Sequence, residues 1–240
     1  MKEVKLFCIP YSGGSASAYL IWRKEMPDFI KICPVELMGH GSRINEALYQ
    51  SVDEAVEDVA NTIRSQLKPG DWYAILGHSM GAVLAFEAYY RLEEMGIWEP
   101  CHMFFSGRKS PLNSKVTTDF YKKSNEEFLD VVYKYGGTTK EIMANKELRD
   151  LFLPILRTDF MIAETYTCLH KREKIHCNIT VTNGREDRSI AAVDMNEWKD
   201  VTDKDCTISL LPGDHFFLLQ NGKMMIDLIS RVFIQDSNFS

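Results

Sequence analysis

Ser79 stands in Gly77-His78-Ser79-Met80-Gly81, with a glycine two residues before it and another two residues after it. A serine hydroxyl is a weak nucleophile until a base takes its proton, and it must also stand clear of its own backbone to meet a substrate. The flanking pattern supplies the second condition. Trp72 to Leu76 is a short apolar run with the length of a buried strand, and Ala82 to Leu92 is an apolar run of helical length that stops near Gly96. A strand that turns sharply into a helix crowds the turn on both sides. Glycines there let it close and push the serine outward.

The base and its orienting acid must come from elsewhere in the chain. Six histidines are available: His40, His78, His102, His170, His176 and His215. Only His215 follows a late strand and precedes the C-terminal helix, in Pro212-Gly213-Asp214-His215-Phe216-Phe217. The order serine, acid, histidine along the chain suits a nucleophile on a strand-to-helix elbow. His78 adjoins the serine at a sharp turn, so its side chain points away and reads as structural. His102 and His176 sit at strand starts as satisfied structural residues, and His40 and His170 read as loop or surface positions. For the acid, the strand Ile179 to Thr182 ends at Asn183-Gly184, and Glu186 and Asp187 both follow that end. The Gly-x-x-Asp-x-x-apolar spacing favours Asp187, leaving Glu186 as a solvated loop charge. Asp159 follows no strand and reads as a helix-surface or lid contact. The backbone amides that would hold an oxyanion are those of Met80, directly after the nucleophile, and of Ser12, in the glycine-rich loop Ser12-Gly13-Gly14 after the first strand.

The elements that must position these groups alternate. Val4 to Ile9 is a strand, Phe29 to Val35 a second, and Val52 to Leu67 a helix whose Val52, Val56, Val59, Ile63 and Leu67 share one face. Ser51 and Glu54 have capping-box spacing, and Pro69-Gly70 ends that helix. Strands follow at Cys101 to Phe105, Ile179 to Thr182 and Cys206 to Leu211, then a helix from about Lys223 to Phe233. Strands alternating with helices predict an α/β fold, with a mostly parallel central sheet and helices on both faces. The stretch from about 111 to 169 breaks the alternation and reads as wholly helical. Ser124 and Glu127 form a second capping box, Gly136-Gly137 ends that helix, and Pro154 is expected to break or kink a helical run between Asn145 and Tyr166. Such an insertion is most simply a lid over the strand ends, where ligands of α/β proteins bind.

Composition narrows the rest. The chain has 240 residues, 45% apolar and 26% charged, which suits a single domain over residues 1–240. Its net charge of −6, without a basic block, argues against nucleic acid and anionic membrane surfaces as partners. Charge within Met1 to Leu6 occupies the place of a signal peptide's apolar region, and no run is long enough to span a bilayer. Six dispersed cysteines lack C-x-x-C spacing, so they read as reduced, buried thiols of a cytoplasmic protein, with no metal site.

Over nearly its whole length the chain resembles the type II thioesterases, stand-alone α/β hydrolases that accompany non-ribosomal peptide and polyketide synthases. The resemblance is carried by Cys8-Ile9-Pro10-Tyr11-Ser12-Gly13-Gly14-Ser15-Ala16, by Gly77 to Gly81, and by Leu153-Pro154-Ile155-Leu156-Arg157-Thr158-Asp159. It continues in Asn183-Gly184-Arg185-Glu186-Asp187 and Gly213-Asp214-His215-Phe216-Phe217-Leu218-Leu219. Three positions depart from the family pattern. Met38-Gly39-His40-Gly41 stands where a Pro-Gly-Arg-Gly-like turn is common, Ser12 stands for a common alanine, and Thr138 stands for a proline. The resemblance implies hydrolysis of acyl groups from the phosphopantetheine thiol of carrier proteins, with no organic cofactor and a monomer as the default state. A general carboxylesterase or acyl-CoA thioesterase on the same fold uses the same machinery and is the alternative. An inert hydrolase scaffold that only binds, and acyl transfer to an acceptor other than water, are further readings.

Overall fold

The computed structural model describes residues 2–113, 118–136, 145–168, 173–190 and 195–235. Six strands form one sheet: β1 (Val4–Ile9), β2 (Ile30–Pro34), β3 (Trp72–His78), β4 (His102–Ser106), β5 (Ile179–Gly184) and β6 (Cys206–Leu211). They lie in the order β2-β1-β3-β4-β5-β6, and every neighbouring pair is parallel. A parallel sheet needs a crossover after each strand, and here the crossovers place helices on both faces. The helices are α1 (Ser17–Leu20), α2 (Val52–Gln66), α3 (Met80–Glu94), α4 (Asn125–Tyr135), α5 (Lys146–Thr165), α6 (Phe217–Gln220) and α7 (Gly222–Gln235).

The two faces can be read from the strand period of two. Phe7, Ile9, Tyr73, Ile75, Met103 and Phe105 pack with Val56, Val59 and Ile63 of α2 and with the apolar length of α3. Their strand neighbours Leu6, Cys8, Ala74, Leu76 and Phe104 point the other way, onto Tyr19, Trp22 and Met225, Ile229 and Phe233 of α7. Strands buried on both faces explain why β3 and β4 read as continuous apolar runs. At roughly 1.5–3 kcal/mol for each fully buried large apolar side chain, these two layers supply the driving force that holds the strand ends in register.

The local signals are met with small shifts. Ser51 Oγ accepts from the Glu54 amide at 3.1 Å, but the Glu54 carboxylate takes the Gln50 amide, so the reciprocal arm falls one residue early. The Ser124–Glu127 box is complete, and Gly136 ends α4 in the left-handed region at φ 85°. Gly137 and Thr138 lie outside the described residues, as does His170. Pro154 does not break its helix: α5 runs for 20 residues with the proline inside, at the cost of the hydrogen bond its missing N–H would have made to Asp150.

The described part of the insertion, from Pro111 to Cys168, is helical, as expected. Its own small core joins Phe128 and Val132 of α4 to Leu156 of α5, with Phe120, Phe152 and Phe160 packed against them. Arg157 ties the pair together. Its guanidinium donates to the carbonyls of Tyr121 and Lys123 and to Asn125 Oδ1, and lies 4.6 Å from the Phe128 ring centre.

Candidate active site

Ser79 sits between the end of β3 and the start of α3 with φ 55° and ψ −112°, and it is the one non-glycine residue with positive φ among those described. That conformation costs on the order of 1–3 kcal/mol and persists because its surroundings fix it. A Cβ on Gly77 would stand 2.1 Å from the Gly81 carbonyl oxygen, and one on Gly81 would stand 2.3 Å from the Ile9 carbonyl oxygen. Both glycines are therefore required by contact, and the Ser79 amide donates to the Ser106 carbonyl at 2.8 Å to close the turn onto β4.

From the ends of β5 and β6 come the partners. His215 Nε2 lies 3.0 Å from Ser79 Oγ, and His215 Nδ1 lies 2.6 Å from Asp187 Oδ2. Asp187 is 2% exposed, and its other oxygen accepts from the Ser189 amide and hydroxyl at 2.9 and 2.6 Å. Burial pushes its carboxyl up, but the hydrogen bonds from His215 and Ser189 outweigh that and hold it below the usual carboxylate range. A carboxylate fixed on Nδ1 keeps the proton there and leaves Nε2 free to take one from the serine, which is the chemistry of acyl transfer through a covalent intermediate. Burial and the neighbouring His215 push His78 down to about 3, so its ring is neutral at physiological pH. His78 Nδ1 meets Ser106 Oγ at 2.9 Å and its ring lies 5.3 Å from that of His215, as a packing residue rather than a base.

Tyr11, Ser12, Gly13 and Gly14 form a tight turn in which the Gly14 amide donates to the Tyr11 carbonyl at 2.8 Å and Gly13 has φ 76°. The first amides of α3 have no preceding helical turn to donate into. Ser12, Ser79 and His215 all line one cavity of about 310 Å³, whose walls include Val83, Val132, Phe160, Phe216 and Trp198. Phe120, Val132, Tyr135, Phe160, Ala163 and Tyr166 bring the helical insertion onto this space.

Asp159 and His40 are more deeply buried than a surface place allows, whereas Glu186 is the exposed loop charge expected. Of the two readings of Asp159, the lid contact holds and the helix surface does not: it has no solvent exposure, and it accepts from the Gly13 amide at 2.6 Å. His40 lies in a loop, as one reading had it, but is 3% exposed and buried against that same carboxylate rather than at the surface. Glu186 is exposed in its loop, as expected, and also takes the Gly213 amide, bracing the loop that carries His215. His102 is structural, as read, with Nε2 on Thr180 Oγ1 at 2.8 Å, whereas His176 is half-exposed on Asp203. A residue the sequence did not single out is Arg108, which lines the cavity, donates to the Ala163 carbonyl at 2.8 Å, and has no carboxylate in ion-pair range among the described residues. Its place in Ser106-Gly107-Arg108, just past a strand end, was the available signal. All six cysteines are free thiols. Among the described residues no cluster of three or more His, Cys, Asp or Glu side chains could hold a metal, and no helix is long and apolar enough to cross a membrane.

A doubly covered parallel sheet, with this site at the strand ends and a helical insertion above it, is the α/β-hydrolase architecture. The thioesterase domain family model matches residues 4–233, and the chain belongs to that family. Among its relatives is the gramicidin S biosynthesis protein GrsT of Aneurinibacillus migulanus, 31% identical over 229 residues, which cover 95% of this chain and 88% of that protein. The crystal structure of ClbQ from the colibactin NRPS/PKS pathway superposes with a TM-score of 0.92 at 30% identity, covering 98% of both chains. The type II thioesterase BorB from the borrelidin biosynthetic cluster superposes with a TM-score of 0.84 at 28% identity, covering 95% of this chain and 92% of that one.

Proposed function

We propose that the protein is a type II thioesterase that hydrolyses acyl groups from the phosphopantetheine thiol of carrier proteins, with Ser79 as nucleophile, His215 as general base and acid, and Asp187 as the acid that orients it. In this reading His215 Nε2 takes the Ser79 proton as Oγ adds to the thioester carbonyl carbon. The Ser12 and Met80 amides donate to the resulting oxyanion. The carbon–sulfur bond then breaks and the imidazolium gives its proton to the departing thiolate. Water follows the same path: His215 takes its proton, the hydroxide adds to the acyl-serine, and Ser79 leaves with the proton returned.

The observation that carries this reading is the 3.0 Å contact of Ser79 Oγ with an imidazole whose far nitrogen is held by a buried carboxylate. It lies in a cavity walled by the helical insertion. The biosynthetic setting of GrsT, ClbQ and BorB supports a carrier-bound substrate over a free ester. In this reading the insertion is a lid whose aromatic side chains meet the acyl chain.

The test is acyl release from a panel of acyl-loaded carrier proteins, with matched acyl-CoA and p-nitrophenyl ester controls, by wild type and Ser79→Ala. Turnover that favours the carrier-bound thioester and is lost in Ser79→Ala is expected. Equal or faster turnover of the controls would move the function to a general esterase or acyl-CoA hydrolase.

A further inference from the structure

Beneath the turn that carries Ser12 lies a buried group of three residues from three distant parts of the chain. Asp159 Oδ2 accepts the Gly13 amide at 2.6 Å and stands 2.9 Å from His40 Nε2. His40 Nδ1 stands 2.9 Å from the Met38 carbonyl oxygen. A carbonyl can only accept, and so can a carboxylate, so making both contacts requires a proton on each ring nitrogen. His40 is therefore an imidazolium paired with the Asp159 anion. The opposite assignment, a neutral ring accepting from a carboxylic acid, would put that acid's proton on the very oxygen that already accepts the Gly13 N–H.

The same helix holds Gly13 a second way. Leu156, one turn before Asp159 in α5, fills the space where a Cβ on Gly13 would sit, with its Cδ2 2.5 Å from that point. Gly13 at φ 76° is thus bonded and packed by α5, and its peptide neighbour is Ser12.

We propose that Asp159 and His40 are positioning residues for acyl transfer: their ion pair fixes the Gly13 amide, and through it the Ser12 amide that meets the oxyanion, so that transition-state stabilisation depends on the imidazolium form of His40. The proposal rests on the assignment of Ser12 given above. It also makes the insertion more than a cover, because the helix that walls the acyl cavity holds one edge of the oxyanion site.

The charged and titratable groups around the ring come from two sides. Asp159 faces it from α5, and Glu36 faces it from the turn after β2, where it accepts from Ala16 and Ser42 amides. Burial works to drive the proton off His40, but the hydrogen bond to Asp159, its charge, the Met38 carbonyl and Glu36 together raise the group above its ordinary value. The imidazolium is therefore present at neutral pH and is lost as pH rises through that raised value. His40 therefore sets a basic limb of the rate profile.

The experiment measures kcat and KM from pH 5.5 to 9.5 with an acyl-N-acetylcysteamine thioester, which needs no carrier protein, so failure of the carrier-protein reading leaves it intact. Asp159→Asn keeps the shape and an acceptor for Gly13 but removes the charge. It should lower kcat by about 10- to 100-fold, less than or comparable to loss of an oxyanion donor, with KM within about twofold. Its basic limb should move to lower pH, and a trifluoromethyl ketone analogue should bind more weakly in step with kcat. His40→Arg supplies a cation at every pH, so it should retain activity and lose the basic limb. Unchanged kcat and analogue binding in Asp159→Asn, or a wild-type basic limb in His40→Arg, would overturn the proposal. If His40→Arg does not fold, ¹⁵N NMR of the wild-type imidazole decides. Two protonated ring nitrogens at pH 7, titrating with the basic limb, support the proposal, and a neutral ring at pH 7 refutes it.

Discussion

Asp187 and Glu186 are adjacent in the chain, and both hold the loop that carries His215, by different atoms and to different ends. Asp187 Oδ2 takes His215 Nδ1 at 2.6 Å, while the Glu186 carboxylate takes the Gly213 amide two residues earlier. One orients the ring and the other steadies the backbone beneath it.

These two roles separate in kinetics. Asp187→Asn keeps the shape but offers Nδ1 the wrong hydrogen-bonding group, and kcat should fall by about a thousandfold or more. Glu186→Gln keeps an oxygen for the Gly213 N–H, so kcat should stay within about twofold. The reverse ranking in a steady-state assay would move the orienting acid to Glu186.

The elbow glycines make a prediction about folding rather than rate. Gly81→Ala places a carbon 2.3 Å from one backbone carbonyl oxygen and 2.6 Å from another, where no flexible side chain can yield. We expect a loss of several kcal/mol, on the order of 3 or more, against the ~1 kcal/mol typical of point changes. Gly96→Ala is the control: nothing lies within 4 Å of its Cβ, so it carries only the strain of φ 72°. Urea midpoints that fall equally in the two variants would contradict the crowding argument.

Phe160 lines the acyl cavity and meets the Phe128 ring edge-on at 5.1 Å and the Tyr135 ring at 6.1 Å. Because it is only partly buried in the small core of the insertion, Phe160→Ala should cost less stability than the 3–5 kcal/mol (about the usual range) for a fully buried phenylalanine. Chain-length preference should shift by about tenfold toward longer or bulkier acyl groups, at ~1–3 kcal/mol per methylene-sized change. A competition assay over acyl thioesters of increasing length checks it, and an unchanged preference would remove Phe160 from the acyl contact.

His78 predicts an acid-sensitive fold. Its folded value of about 3 lies below the ordinary 6.5, so between those values the unfolded chain binds a proton that the folded chain does not. Stability is therefore full above about pH 6.5 and is lost as pH falls, by up to ~1.4 kcal/mol per pH unit. Asp187, held low in the folded state, adds a loss in the same direction at more acid pH. Urea unfolding of wild type and His78→Gln between pH 4 and 7 should give a shallower slope for the variant. Parallel slopes would assign the acid sensitivity elsewhere.

The sequence patterns that announced the site were local ones. Ser79 is legible because its glycines, strand and helix fall within a few residues, and His215 because it alone sits between the last strand and the last helix. The Asp159–His40 pair was illegible for the opposite reason: 119 residues separate its members, and nothing near either one announces the other. A signal for burial did exist. Ile155, Leu156 and Ile162 lie four and three residues before Asp159 and three after it, which puts the carboxylate on the apolar face of its helix. Helix ends were accurate where caps fix them, as at Ser124 and Gly136, and a break at Pro154 was not, because packing on both sides of α5 overrides the local preference.

Ser79 follows β3, while Asp187 and His215 follow β5 and β6, and the two groups meet only where β4 pairs with β5 across the helical insertion. The reactive contact thus straddles a seam between an amino-terminal and a carboxy-terminal half. If the chain were cut within the insertion, neither piece would carry both serine and histidine. Reunion of two silent fragments along that seam would be reported by thioester cleavage itself, turning the architecture into a built-in gauge of its own assembly.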